Sequence, residues 1–338
     1  MSNSVNKISV VLATHNGERF IEKQLDSLSQ QTLPPFELVI SDDCSTDRTD
    51  QILRSFVIAS PFPVHYKRNS QAKGFRENFL SAINMTSGSW LAFCDQDDIW
   101  RTDKLETCAK YMTIQGVTQI VHQANLIDQN DTDIGIFAQG IQRTALRNQL
   151  SYDLWGTFFG FSMVVDRRIF DVYPADRRFI DFIDTKHLIA HDRWAFFLGQ
   201  TLGKTFEIGE PLVAYRQHEM NLYGSGSHKV ERKSIQSAKV ENATYISATS
   251  KMLDIVETLP AATEETFPSF DRERAISVYA NALRQLRARG AVYTSGRLGA
   301  LIKITAMCLN GHYRNAQDGK FRWRSILRDL QITMVRNT

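Results

Sequence analysis

The sequence predicts an α/β protein: a doubly wound sheet followed by a C-terminal helical region. Three observations carry that prediction. Short apolar runs of strand length alternate with helical patterns over the first hundred residues. Several of those runs stop at carboxylates, at the edge where open α/β sheets bind ligands. Beyond about residue 229, long helical patterns take over.

The first run, ISVVLAT (8–14), has the continuous hydrophobicity of a strand buried on both faces. Ile21, Leu25 and Leu28 then recur at helical spacing within 18–31. FELVISD (36–42) forms the second strand and stops at Asp42 and Asp43. The next helix opens in STDRTDQIL, with Ser45 or Thr46 expected as N-cap and Asp47 in the first turn. PVHYKRN (63–69) is the third strand, GFRENFLSAINMTSG (74–88) a helix ending at Gly88, and SWLAFC (89–94) the fourth strand.

The pattern then becomes mixed. TQIVHQANLID (118–128) reads as a strand entering a hairpin, and FFGFSMVVDRRIF (158–170) as a strand leading into a helix. AHDRWAFFLGQTLG (190–203) is a helix with His191 and Asp192 at its start, and EPLVAYRQHEMN (210–221) a strand running into a polar loop. GSGSH (224–228) marks the expected boundary, giving a site-bearing domain at 1–225 and a helical, basic tail at 226–338.

Composition narrows the class. At 338 residues, with 43% apolar and 23% charged residues, the chain is an ordinary globular protein. Cys44, Cys94, Cys108 and Cys308 show no CxxC spacing, so reduced thiols and a cytoplasmic setting are expected. The N-terminus lacks a signal-peptide pattern, and no apolar run reaches the roughly 18–20 residues of a membrane span.

The net charge of +3 conceals an asymmetry. Residues 280–338 hold eleven Lys or Arg against Asp318 and Asp329, a charge of +9 that leaves −6 for the rest. LRQLRARG, GRLGALIKITAMCLNGHYR and KFRWRSILRDL interleave that charge with apolar residues. Such helices suit the inner face of a cell membrane as a peripheral, anionic surface. A packing or homodimerisation domain with a solvated basic face fits the same pattern. None of the usual nucleic-acid modules is visible, so no nucleic-acid partner is expected.

The chemistry lies in FCDQDDIW, where Asp95, Asp97 and Asp98 crowd the end of the fourth strand. Like charges so close repel unless something positive sits among them. Asp43 alone could cap a helix, and DQDD alone could be a solvated turn. Two acidic clusters on one sheet edge point instead to a ligand. Hard cations such as Mg²⁺ and Mn²⁺ take one or two carboxylates together with substrate phosphates. Neither a Walker A sequence nor GxGxxG is present to cradle phosphates in a glycine loop. Two reaction classes remain, phosphoryl transfer through an aspartyl nucleophile or displacement of a nucleoside diphosphate from a sugar. DQDDI superficially matches the Asp-x-Asp motif of haloacid-dehalogenase-like phosphatases, but it follows a fourth strand rather than a first. A non-catalytic sugar-nucleotide-binding scaffold on a membrane assembly is the third reading.

ISVVLATHNGERFIEKQLDSLSQQTLPPFELVISDDCSTDRT, NSQAKGFRENF and LAFCDQDDIWRTDKL, in that order, resemble the inverting family 2 glycosyltransferases of the GT-A fold. The resemblance spans about residues 7–221. CDQDDIW…DKL and YRQHEMN are most similar to the bacterial rhamnosyltransferase branch that builds cell-surface polysaccharides, O-antigen among them. It implies that Ala13, Thr14 and His15 flank the nucleotide and that Asp43 reads the NH of its pyrimidine ring. Asp95 is then expected on the ribose or donor sugar, Asp97 on the metal and Asp192 as general base. Gly74 and Arg76 either meet donor phosphate or base, or form a plain helix start. His218 either completes the metal or diphosphate site or hydrogen-bonds locally. His191 stands where the family more often has Glu, which leaves its role open. The QxxRW signature of processive synthases is absent, so one sugar per encounter is expected. The implied reaction moves L-rhamnose from dTDP-rhamnose, or a sugar from a UDP donor, to a lipid-linked glycan with Mg²⁺ or Mn²⁺.

Overall fold

The computed structural model describes residues 7–219, 234–315 and 317–334. The boundary expected at 224–228 lies outside these residues. The chain forms two compact units. The first runs through Asp176, resumes at Ala190 and takes in Glu265–Phe270. The second contains Arg177–Ile189, the described residues up to Glu264, and the chain from Asp271 on.

In the first unit β1 (Ile8–Thr14), α1 (Ile21–Ser29), β2 (Glu37–Asp42), α2 (Thr49–Ala59), β3 (Val64–Arg68), α3 (Phe75–Ile83) and β4 (Trp90–Cys94) alternate as predicted. Then come β5 (Ile99–Trp100), α4 (Lys104–Ala109), β6 (Val117–Ile127), β7 (Asp133–Phe137), β8 (Ala145–Arg147), β9 (Met163–Asp166), α5 (His191–Leu202) and β10 (Lys204–Arg216). The sheet order is β3-β2-β1-β4-β9-β6-β10-β5, with β7 on β6 and β8 on β10. The first four of these strands are parallel, β9 is antiparallel to both neighbours, and β6 and β10 are parallel. The sheet is therefore mixed. Val10, Val11, Leu12, Leu38, Ile40 and Phe93 are fully buried, which is why these strands read as unbroken apolar runs.

Three local expectations are corrected. The N-cap is neither Ser45 nor Thr46. Ser45 gives its backbone N–H and hydroxyl to Asp42, and the following helix starts at Thr49, whose N–H donates to Asp47 Oδ1 at 3.0 Å. The helix expected over 74–88 stops at Ile83, where the Thr86 hydroxyl donates to the Ile83 carbonyl at 2.6 Å. In 158–170 the strand is only Met163–Asp166, between 3₁₀ turns at Gly160–Ser162 and Arg167–Phe170.

β10 crosses the sheet in 13 residues with register shifts on either side of Pro211, which lacks a ladder donor. At its start, a Cβ on Gly203 would lie 2.5 Å from the Gly116 carbonyl oxygen. Gly203→Ala is expected to cost about 1–3 kcal/mol through this overpacking, read as a lowered urea midpoint at unchanged slope. A cavity of about 250 Å³ lined by Trp90, Met112, Val117, Leu202 and Phe267 lies where β4 and β6 begin, at the end of those strands away from the carboxylates.

The second unit is helical: α6 (Ile235–Thr258), α7 (Thr263–Thr266, which runs into the first unit's segment), α8 (Arg272–Tyr293), α9 (Arg297–Leu309) and α10 (Trp323–Met334). Ala238, Val292, Tyr293, Ala300, Ile304, Met307, Tyr313 and Ile332 make one core. Asp329, fully buried, accepts from Arg289 Nε at 2.9 Å, Tyr293 OH at 2.6 Å and Tyr313 OH at 2.8 Å. Part of the tail's charge is thus internal structure.

Candidate active site at the carboxyl edge of the sheet

Strand register levels the edge. Thr14 pairs with Asp42 and Leu12 with Cys94, so β1, β2 and β4 end together and their following residues share one rim. Asp42 and Asp43 are both buried and take different structural parts. Asp42 is fully buried and takes Thr14 Oγ1 at 2.9 Å, Ser45 N at 3.0 Å and an ion pair from Arg68 Nε at 3.3 Å. It ties the rim together.

Asp43 accepts from Asn69 Nδ2 at 3.0 Å, Lys73 N at 2.8 Å and Gly74 N at 2.8 Å. Its carboxylate therefore shapes the 69–74 loop that delivers α3. Gly74 turns into that helix at φ 80°, a left-handed conformation that glycine adopts without strain. Arg76, in the first turn of α3, is largely buried with its guanidinium 4.6 Å from the Phe75 ring centre.

Ala13 is half-buried and Thr14 buried, while His15 is exposed and bridges the two clusters. His15 Nδ1 donates to the Asp43 carbonyl at 2.7 Å. Its backbone N–H donates to Gln96 Oε1 at 2.9 Å, and Gln96 Nε2 returns a bond to the His15 carbonyl at 3.0 Å. Gln96, the x of the Asp-x-Asp, is thereby a clamp between strand ends. Gly17 makes room for it: a Cβ there would meet Gln96 Oε1 at 2.4 Å.

The positive partners of Asp95, Asp97 and Asp98 include groups of the chain itself. Lys104, fully buried, lies beneath them with its Nζ donating to the Phe161 carbonyl at 2.7 Å and sitting 3.5 Å over the Trp100 ring. Burial holds its pKa down to about 8, while Cys108, Cys94, Asp98 and Asp95 pull it up. Arg216, also fully buried, donates from Nε to the Asp97 carbonyl at 2.7 Å and from its backbone N–H to Asp98 Oδ1 at 3.0 Å. Its Nη1 reaches the Asp128 carbonyl at 3.1 Å and pairs with Asp131, which also pairs with Lys23. His218 Nε2 lies 2.8 Å from Asp97 Oδ2, with its ring 5.0 Å from that of Phe20.

These cations do not neutralise the cluster. Burial, then Asp97 and Asp192, push Asp95 up to about 7. Burial, then Asp97 and Asp95, push Asp98 well above the usual carboxylate range. Asp192 stands in the first turn of α5, half-buried, its Oδ1 accepting from Arg193 N at 2.7 Å. Its charge is one of the causes that raise the Asp95 pKa. A Cβ on Gly160 would lie 3.7 Å from both Asp192 Cβ and Phe93 Cβ, so the absence of a side chain there brings this helix start close to β4. His191 is a packing residue, stacked on Phe79 at 3.7 Å and edge-on to Phe93 at 5.3 Å.

The sequence reading missed Lys104, Arg216 and Gln96. Lys104 and Arg216 lie inside the segments DKL and YRQHEMN, but nothing local says that those charges are buried. Among the described residues no three His, Cys, Asp or Glu side chains gather as a self-sufficient metal site. Asp97 with His218 offers two donors, a set that suits a hard or borderline divalent ion whose remaining ligands are phosphate oxygens and water.

Residues 9–173 match the model of glycosyl transferase family 2. The dTDP-rhamnosyl transferase RfbG of Shigella flexneri is 26% identical over 227 residues, 63% of this chain and 74% of its own length. The teichuronic acid biosynthesis glycosyltransferase TuaG of Bacillus subtilis, itself a putative assignment, is 30% identical over 172 residues, 49% of this chain and 65% of its own. Among solved structures, Staphylococcus aureus TarS 1–349 in complex with UDP superposes with a TM-score of 0.56 at 14% identity, covering 97% of this chain and 90% of that one. The fold is GT-A.

Proposed function

We propose that this chain, which carries a family 2 glycosyltransferase domain of GT-A fold, moves one sugar from a nucleoside diphosphate to a hydroxyl of a bacterial envelope glycan, with inversion. The observation that carries the reading is the packing of the α5 start against the end of β4, where a Cβ on Gly160 would lie 3.7 Å from both Asp192 Cβ and Phe93 Cβ. An inverting displacement needs a base on one side of the anomeric carbon and a charge-neutralising site for the departing diphosphate on the other. Asp192 near Asp95, with Asp97 and His218 on the same rim, supplies that polarity.

In this reading Asp192 takes the proton of the attacking hydroxyl. General-base help of this kind is typically worth ~10²–10⁴-fold. Asp95 meets the ribose or donor sugar. Ala13, Thr14 and His15 line the nucleotide, and Asp43 with Gly74 and Arg76 bounds its base and phosphates. Asp97 and His218 would hold Mg²⁺ or Mn²⁺, which would supply charge neutralisation for the leaving diphosphate. Arg216 fixes the Asp97 main chain and thus the aim of that carboxylate. dTDP-rhamnose is the first donor to try, on the likeness to RfbG, and UDP-sugars the second. A lipid-linked acceptor fits a chain that works at a membrane surface.

The test combines purified protein, a panel of dTDP- and UDP-sugars, and Mg²⁺, Mn²⁺ or chelator. Metal-dependent release of nucleoside diphosphate and a metal-dependent rise in melting temperature are expected, and Asp97→Ala loses both while remaining folded. Phosphate release from simple monoesters in place of diphosphate release would favour the phosphatase and refute the transferase. Donor binding without turnover on any acceptor would leave the scaffold.

A further inference from the structure

The basic tail is two different things. α8 is core: Ala275, Val278, Tyr279, Ala282, Leu283 and Leu286 are buried, and its Arg289 is the counter-ion of buried Asp329. α9 differs. Its inward face is Ala300, Ile304 and Met307. Its opposite face is also apolar, with Leu298 73%, Ile302 62% and Leu309 83% exposed, residues that fall within about 40° of one another at 100° per residue. α10 repeats the arrangement. Ile332 and Asp329 face in, while Trp323, 56% exposed, Leu327 and Met334 recur at i, i+4 and i+11 on the other side. A helix apolar on two faces has a second partner.

The charge says which kind. Exposed Arg297, Lys303, Arg314, Lys320 and Arg324 flank these stripes, while Arg328 pairs with Glu241 of α6, and the single exposed acid of the segment is Asp318, already paired with Lys320. A second copy of the same face would bring these cations against one another. Neither helix is long and apolar enough to cross a bilayer, so they would lie in its plane. Phe321 and Trp323, exposed where α10 begins, are the residue types that settle at headgroup level.

We infer that the outward faces of α9 and α10 form a membrane-docking surface specific for anionic phospholipid. Leu298, Ile302, Leu309, Trp323 and Leu327 enter the acyl boundary and the surrounding Arg and Lys engage phosphate headgroups. α8, although equally basic in sequence, takes no part. This deepens the membrane-surface setting of the proposed function but is read without turnover, so it stands or falls separately from the transferase reading.

The full chain is floated with vesicles of phosphatidylcholine alone and of phosphatidylcholine with phosphatidylglycerol, at low and high salt. Binding is expected only with phosphatidylglycerol and is lost as salt rises. Lys320→Ala with Arg324→Ala is expected to weaken it roughly 25-fold, about fivefold per cation. Ile302→Asp with Leu309→Asp abolishes it, while circular dichroism and melting temperature stay at wild-type values. Arg284→Ala with Arg287→Ala on α8 leaves it unchanged. Equal binding to neutral vesicles, no binding at all, or a dimer in sedimentation that the Asp variants dissociate would each overturn the assignment.

Discussion

Asp192→Ala is expected to lower kcat by ~10²–10⁴-fold, with donor KM and the metal-dependent melting shift near wild type. The split follows from position. Asp192 belongs to α5, whereas the residues proposed to hold the donor follow the ends of β1, β2 and β4, so on the proposed roles removing the carboxylate takes away a proton acceptor and leaves the donor side intact. Stability should barely change. The helix loses a favourable charge in its first turn, about 0.3–1 kcal/mol. Against this, Asp95 loses one of the charges that repel it, and its pKa falls from about 7. Asp192→Asn should match Asp192→Ala in rate, because the amide cannot take the proton. Single-turnover kinetics on purified variants provide the measurement, and wild-type kcat in either variant removes Asp192 from the chemistry.

Lys104→Met is expected to cost about 3–5 kcal/mol, the usual penalty for stripping one partner from a buried charge cluster. Methionine fills the volume. It cannot donate to the Phe161 carbonyl, however, and it leaves Asp95 and Asp98 without the cation beneath them. The pH dependence separates this from simple cavity formation. Asp95 keeps its proton to about pH 7 in the folded chain but titrates near 4 when unfolded, so the folded state binds more protons between these values and stability falls as pH rises. Lys104 opposes that trend by favouring the Asp95 anion. Without it the Asp95 pKa rises further, and the decline in urea midpoint should extend to higher pH than in wild type. A uniform loss at every pH would show that Lys104 contributes packing alone.

Much of the α/β body was legible because burial on both faces writes itself as unbroken apolar runs, as in Ile8–Thr14, Glu37–Asp42 and Trp90–Cys94. The rim was legible for a related reason: carboxylates that directly follow such a run sit at strand ends. What local patterns could not show was which carboxylate faces inward. Asp42 and Asp98 turn into the protein and Asp43 shapes a loop, a division set by Ser45, Arg68, Asn69 and Arg216 from elsewhere in the chain. Lys104 and Arg216 were illegible as buried charges since a lone cation in a polar stretch reads as solvated. His191, whose role the sequence left open, proves to be held by Phe79 and Phe93. In the basic tail the converse held, because composition cannot tell Arg289 on a buried aspartate from Arg324 in water.

β10 carries a consequence for tolerated change. Its thirteen residues start beside the closely packed Gly203 and finish with the arginine that grips Asp97 and the histidine two positions on. Side chains alternate along a strand, so one residue added or deleted downstream of the irregularity at Pro211 would turn Arg216 to the other face of the sheet. Length variation in this ribbon should therefore come in even steps or not at all, whereas the hairpin between β6 and β7 is under no such parity.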